Sequence, residues 1–187
     1  MVEASQETLD PRIRRTRQRL QQALEELLET KDFDKISVQD VADAATVNRV
    51  TFYDHYTDKF ALLECVVAGR FQKLLTERDV RFDGTCASAL NAIVLAVCDY
   101  LARTRGLEPH LESAIIAVIR RMILDGLRHH SSRAAVPLEM IATTTSWAIY
   151  GAAQEWVRQP DHCLSEEIVE TILTLVTPIL ESADASE

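Results

Sequence analysis

Residues 48–59 read NRVTFYDHYTDK and crowd two tyrosines, a phenylalanine, a histidine, an arginine and a lysine into twelve positions. An apolar core has no use for that mixture. A surface lying against a phosphate backbone and base edges does, because cations and hydroxyls meet phosphate while short polar and apolar side chains reach the bases. Upstream, between Pro11 and Leu24, five arginines (Arg12, Arg14, Arg15, Arg17 and Arg19) stand without one acid among them. The chain as a whole carries 20 Lys and Arg against 29 Asp and Glu, a formal charge of −9, so positive charge is a local feature rather than a general one. A basic run alone is equally a solvated helix start; its position next to residues 48–59 points to nucleic acid.

Other chemistries find little support. No GxSxG, HExxH, phosphate-binding loop or dinucleotide fingerprint occurs, and no catalytic residue is singled out. The cysteines Cys65, Cys86, Cys98 and Cys163 lie far apart, with no CxxC pair and no histidine at ligand spacing. They read as reduced, mostly buried thiols, and neither a metal site nor a cofactor is expected. His129 and His130 fall at the end of a helix, where the dipole favours them. No apolar run approaches the roughly 18 residues that span a bilayer, and no hydrophobic leader follows MVEASQETLD, so no membrane partner and a cytoplasmic location are expected. A helical adaptor that binds only proteins, or an all-helical enzyme using the Cys or His residues, is the rival reading; neither should be retained by DNA.

The elements that must position residues 48–59 follow from periodicity. Only five glycines and five prolines punctuate 187 residues, and the stretches between are rich in Ala, Leu, Glu, Gln and Arg, which predicts an all-α protein. Leu20, Ala23, Leu24, Leu27 and Leu28 recur at helical spacing in a first helix ending near Thr30. Phe33 and Ile36 cross a short turn. Ser37 with Asp40 three residues on makes an acidic capping box for a short second helix carrying Val38, Val41 and Ala42. Asn48 caps a third, running to about His55, and Asp58 caps a long fourth.

Two short helices joined by a tight turn after a longer one make a helix-turn-helix, in which the second short helix enters the major groove. Asn48, Arg49 and Val50 would then meet base edges. Thr51, with aromatics and cations further on and with Arg12, Arg14 and Arg15 of the basic arm, would meet the backbone. Phe52 reads as core. Tyr56 reads as a contact or as packing against the first helix.

The stretch SVQDVADAATVNRVTFYDHYTDKFALL, residues 37–63, resembles the N-terminal signature of the TetR family of transcriptional regulators, with the Phe-Tyr, the His-Tyr and the Asp-Lys before a Leu-Leu pair all in register. The resemblance covers about residues 12–66. It implies that Tyr53, His55 and Lys59 contact the DNA backbone and that Ser37, at a helix start, donates to phosphate. Thr46 departs from the pattern: many members have glycine there, and a β-branched residue is poorly suited to positive φ.

The second half is expected to be a helical bundle, with residues 1–57 forming the DNA-binding domain and residues 58–187 a regulatory and dimerising one. Helices are predicted over 87–104, over 114–130 as the buried central helix, from the first turn at Pro137 to before Pro160, and from a cap at Ser165, with a loop around residues 106–109 and a disordered tail after Glu181. On the Pro137–Arg158 helix, Ile141, Thr145, Ala148, Ala152 and Glu155 share one face with Gly151 beside them. Together with the stripe Ile168, Ile172 and Leu175 on the last helix they form, by the resemblance, a homodimer interface of helices paired about a two-fold axis. The opposite face carries Thr143, Trp147, Tyr150 and Gln154, turned towards the body of the domain. Facing it, Arg120 is flanked by Ile116, Ala117, Ile123 and Leu124. These residues could hold a small-molecule effector, with Arg120 fixing a polar end; alternatively Arg120 snorkels outwards or pairs with Asp99 or Glu155. The resulting expectation is a homodimeric repressor that binds a palindromic double-stranded operator and is released by the effector.

Overall fold

The structure, a computed structural model, describes residues 10–77, 86–103, 109–130, 136–160 and 164–182. Eight α-helices and one 3-10 turn are present among them, with no strand. The expected loop at 106–109, Cys163 and the tail beyond Ser182 lie largely or wholly outside the described residues, as does the side chain of Cys86.

Two compact units emerge, Met1–Val66 and Val67–Glu187. The first contains α1 (Pro11–Leu28), a 3-10 turn (Phe33–Lys35), α2 (Val38–Ala44), α3 (Arg49–Tyr53) and the start of α4 (Lys59–Glu77). Asp10 caps α1 by accepting from the Arg12 amide at 2.8 Å, and Pro11 occupies a first-turn position where its missing N–H costs nothing. Leu20, Leu24, Phe33, Ile36, Val41, Phe52, Leu62 and Leu63 close one small core. Because Leu62, Leu63 and Val66 are buried, the unit extends past the boundary expected at 57 and takes in about two turns of α4. Asp58 starts that helix by accepting from the Ala61 amide at 2.8 Å.

The second unit holds the rest of α4 with α5 (Cys86–Arg103), α6 (Pro109–His130), α7 (Leu138–Arg158) and α8 (Ser165–Glu181). α7 packs against α5, α6 and α8, and α5 also against α8. The buried centre is α5 and not α6 as expected. Every residue from Ala92 to Leu101 is buried, whereas α6 exposes Arg120, Arg121, Asp125 and Arg128 along one side. Leu164, not Ser165, stands at the N-cap of α8. Ser165 is instead buried in the first turn, its hydroxyl donating to Asp99 of α5 at 2.6 Å, which supplies the partner that a buried carboxylate requires. Pro137 likewise sits at the N-cap of α7 rather than in its first turn.

Candidate nucleic-acid interface

The α2–turn–α3 segment is built from capping chemistry. The Ser37 hydroxyl accepts from the Asp40 amide at 3.1 Å, while the Asp40 carboxylate accepts from the Ser37 amide at 2.8 Å and from the Ser37 hydroxyl. These bonds, led by the one from the hydroxyl, hold the Asp40 carboxyl down at about 2. At the other end of α2 the Val47 amide reaches the Ala42 carbonyl (2.9 Å) and the Thr46 amide the Asp43 carbonyl (3.0 Å). This is a Schellman closure with Thr46 at its left-handed position, φ 56°. The positive φ that glycine would supply freely is therefore imposed on a β-branched residue by its hydrogen bonds. Asn48 then caps α3, its Oδ1 accepting from the Val50 amide at 3.0 Å.

α3 buries Phe52 and turns the rest of its surface outwards. Val50 is 68% exposed and Tyr53 48% exposed, large apolar surface that a five-residue helix gains nothing by presenting to water. The Arg49 guanidinium lies 5.6 Å from the Tyr53 ring centroid, with Nη2 donating to the phenol oxygen at 3.3 Å. The i, i+4 spacing ties the arginine to the tyrosine before any ligand arrives. Asn48, Arg49, Val50 and Tyr53 are thus brought together on one exposed surface, with Thr51 and His55 half-buried at its border.

Arg12, Arg14, Arg15 and Arg19 are exposed along the start of α1. Arg17 is different, and the sequence reading left it out of the contact set: it stacks 5.2 Å from the ring centroid of Tyr56 and joins Ile13, Asp54 and His55 around a cleft of about 460 Å³. Tyr56 is buried, accepts from Gln21 at 3.0 Å, and has its phenol pushed above the usual range mainly by burial. It serves as packing against α1. The i, i+4 step from Arg17 to Gln21 was the available signal, since it puts both on the side of α1 that receives Tyr56.

Two backbone contacts need revision. The Lys59 ammonium donates to the carbonyls of Phe33 (2.9 Å) and Ile36 (2.8 Å), has that of Asp34 at 3.4 Å, and lies 4.5 Å from the Phe33 ring centroid. An ammonium has three donors and all three are committed, so Lys59 closes the 3-10 turn instead of facing phosphate. The Ser37 hydroxyl proton is similarly given to Asp40.

In the second unit the faces of α7 are only partly those expected: Tyr150 is buried and Gly151 and Glu155 are exposed as expected, but other positions are exchanged. Ile141 and Thr145 are buried within the chain, and Ile172 of α8 with them, so they are unavailable to a partner. Thr143 and Trp147 face solvent, Trp147 at 54% exposure, next to Gly151 on the same exposed side. Ala148, Ala152 and Ile168 are half-buried, and Leu175 is exposed. Of the expected effector residues only Tyr150 and Gln154 meet. The Tyr150 phenol donates to Glu112 of α6 at 3.1 Å and accepts from Gln154 at 3.2 Å. Desolvation first, and the Glu112 charge next, push that phenol well above its ordinary range. Arg120 is exposed. Among the described residues no cluster of ligands suits a metal ion, and no helix is long and apolar enough to cross a membrane.

A compact unit of capped short helices, one buried aromatic and an outward apolar and basic surface defines a helix-turn-helix of the kind found in DNA-binding transcriptional regulators. Residues 20–66 match the family model described as bacterial regulatory proteins, tetR family. YxbF of Bacillus subtilis (strain 168), an uncharacterised helix-turn-helix-type transcriptional regulator, is 40% identical over 60 residues, which is 32% of this chain and 16% of that protein. The crystal structure of Lin0861 from Listeria innocua has the same fold, with a TM-score of 0.58 at 22% identity over 92% of this chain and 94% of that one. A TetR transcriptional regulator from Streptococcus agalactiae 2603V aligns over 88% of this chain and 95% of its own, with a TM-score of 0.49 at 23% identity.

Proposed function

We propose that the chain is a homodimeric repressor that reads an inverted-repeat operator through α3 and is released when a small molecule occupies the second unit. The observation that carries this is the surface of α3: Val50, at 68% exposure, beside an exposed Arg49 whose guanidinium donates to Tyr53. Arginine suits guanine O6 and N7, valine suits the thymine methyl group, and Asn48 at the helix start can reach an adjacent base. Arg12, Arg14 and Arg15 serve phosphates, and with Thr51, Tyr53 and His55 they set the register.

A single α3 reads too few bases to find one site among many, so a two-fold pair is the economical solution. The surface best fitted to pair is the one exposing Met140, Thr143, Trp147 and Gly151 on α7 and Leu175 on α8, large apolar groups around a glycine that permits close approach. Selection from random duplexes by the purified full chain tests the reading. The expected product is an inverted repeat with half-sites about one helical turn apart, bound by two chains. Recovery of no common sequence would overturn it.

A further inference from the structure

We propose that the cleft between α1 and the end of α3 seats one phosphate of the DNA backbone, with Arg17 as its anchor, His55 as a second donor and Asp54 as an opposing charge. The proposal rests on the reading of the first unit as a duplex-binding module, and adds to it a contact outside α3 and the exposed arginines. The cleft, of about 460 Å³, is lined by Ile13 and Arg17 of α1 and by Asp54 and His55, which directly follow α3. Ile13 and Arg17 are spaced i, i+4 and so share one face of α1. Asp54 and His55 follow the exposed Tyr53, so the cleft adjoins the outward surface of α3.

Arg17 is set apart by how it is held. It is half-buried, whereas Arg12, Arg14, Arg15 and Arg19 are exposed. Its guanidinium lies 5.2 Å from the ring centroid of the buried Tyr56, whose phenol accepts from Gln21 at 3.0 Å. Stacking restrains the guanidinium, so less side-chain freedom is lost when an anion meets its edge. Beyond that tyrosine, Arg17 has no ion pair among the described residues. A guanidinium carries five N–H donors; with one turned to the phenol, the others are left for the oxygens of a phosphate. The half-buried His55 adds an imidazole N–H. Ile13, 37% exposed, gives an apolar wall for the adjoining sugar. Asp54 is exposed and likewise without an ion pair among the described residues, a carboxylate placed where it opposes a phosphate. The local field stays positive all the same. Residues 1–19, with Glu3 and Glu7 counted, hold five arginines against three acids, a surplus that Asp54 does not cancel. Asp54 therefore weakens the contact without abolishing it.

Anisotropy titrations of the full chain against the selected duplex and an unrelated one, repeated over a range of salt, are the direct test. Arg17→Met keeps an unbranched stem over Tyr56. It should lower affinity for both duplexes about tenfold, and reduce the slope of log affinity against log salt by about one, with the ratio between them kept. Arg17→Lys should restore the slope but only part of the affinity, because an ammonium keeps the charge and loses the planar fork. Asp54→Asn should act in the opposite sense, tightening both duplexes about threefold, as a repulsion the size of an exposed ion pair is removed. A residue that only packs against Tyr56 would shift the melting temperature and leave the salt slope alone. Asp54 is exposed, so its variant decides the matter even where Arg17→Met does not fold. Calorimetry with inorganic phosphate separates the backbone from a free anion, and no saturable binding is expected. A wild-type chain that binds neither duplex would overturn this proposal together with the reading it rests on. Duplex binding with an unchanged salt slope in Arg17→Met, unchanged or weaker binding in Asp54→Asn, or saturable binding of inorganic phosphate by itself would overturn this proposal alone.

Discussion

Arg49 and Val50 carry the specificity of this account, and neither contributes to the core. Truncating either to alanine should therefore leave the melting temperature unchanged while removing about 1–3 kcal/mol of affinity for the selected duplex. Thr46 is the converse, a residue whose conformation costs stability. Holding a non-glycine residue in the left-handed region costs roughly 1–3 kcal/mol, against about 0.5–1 kcal/mol of extra chain entropy lost by a glycine. Thr46→Gly should thus stabilise the first unit by about 1 kcal/mol in a denaturant melt, without loss of DNA affinity. Lys59 shows where a sequence motif misleads. Its type and register suit a phosphate contact, but the carbonyls it satisfies become visible only when the 3-10 turn is seen beneath it. Lys59→Met should destabilise the unit by about 1–3 kcal/mol, through carbonyls left unsatisfied, more than it changes salt dependence. Asp40 adds a pH dependence. Its folded-state value of about 2 lies below the ordinary 3.8, so its contribution is present above about pH 4 and is lost as pH falls through about 2. In Asp40→Asn the acid limb of the stability curve should be flatter over that interval.

At the scale of elements, the caps of the first unit were legible, that of α8 was not, and helix faces were legible only in part. Ser37, Asn48 and Asp58 each start the helix the sequence assigns to them, because a cap is a local hydrogen bond that needs no knowledge of the rest of the fold. α7 is the contrast. Its sequence IATTTSWAIYGAAQEW offers a small, apolar or β-branched residue at nearly every position, so no stripe fixes its rotation. Phasing it on small residues put Ile141 and Thr145 outside and Trp147 inside, the reverse of what packing against α5, α6 and α8 imposes. Two outcomes follow. Trp147→Glu should convert the sedimenting species from two chains to one with the fold retained, whereas a buried Trp147 would make that variant unfold. Thr145, whose hydroxyl is buried without a partner, should accept valine with a gain of about 1 kcal/mol, because an unsatisfied polar group leaves the interior.

Across the whole molecule, charge is partitioned rather than averaged. The basic start of α1 and the outward face of α3 belong to the first unit, while the chain totals −9. Acidic surface elsewhere should oppose adsorption to arbitrary DNA, so binding to unrelated sequences should be weak and should fall steeply with salt. The claim that joins these observations is that α3 reads sequence and the arginine arm does not. Fluorescence anisotropy at fixed ionic strength, with the selected duplex and a scrambled one of equal length, tests it for the wild type, Arg49→Ala and Arg14→Ala. The account predicts that Arg49→Ala narrows the ratio between the two duplexes by about tenfold or more, and that Arg14→Ala weakens both equally with the ratio kept. A ratio unchanged in Arg49→Ala, or one that narrows in Arg14→Ala instead, would contradict it.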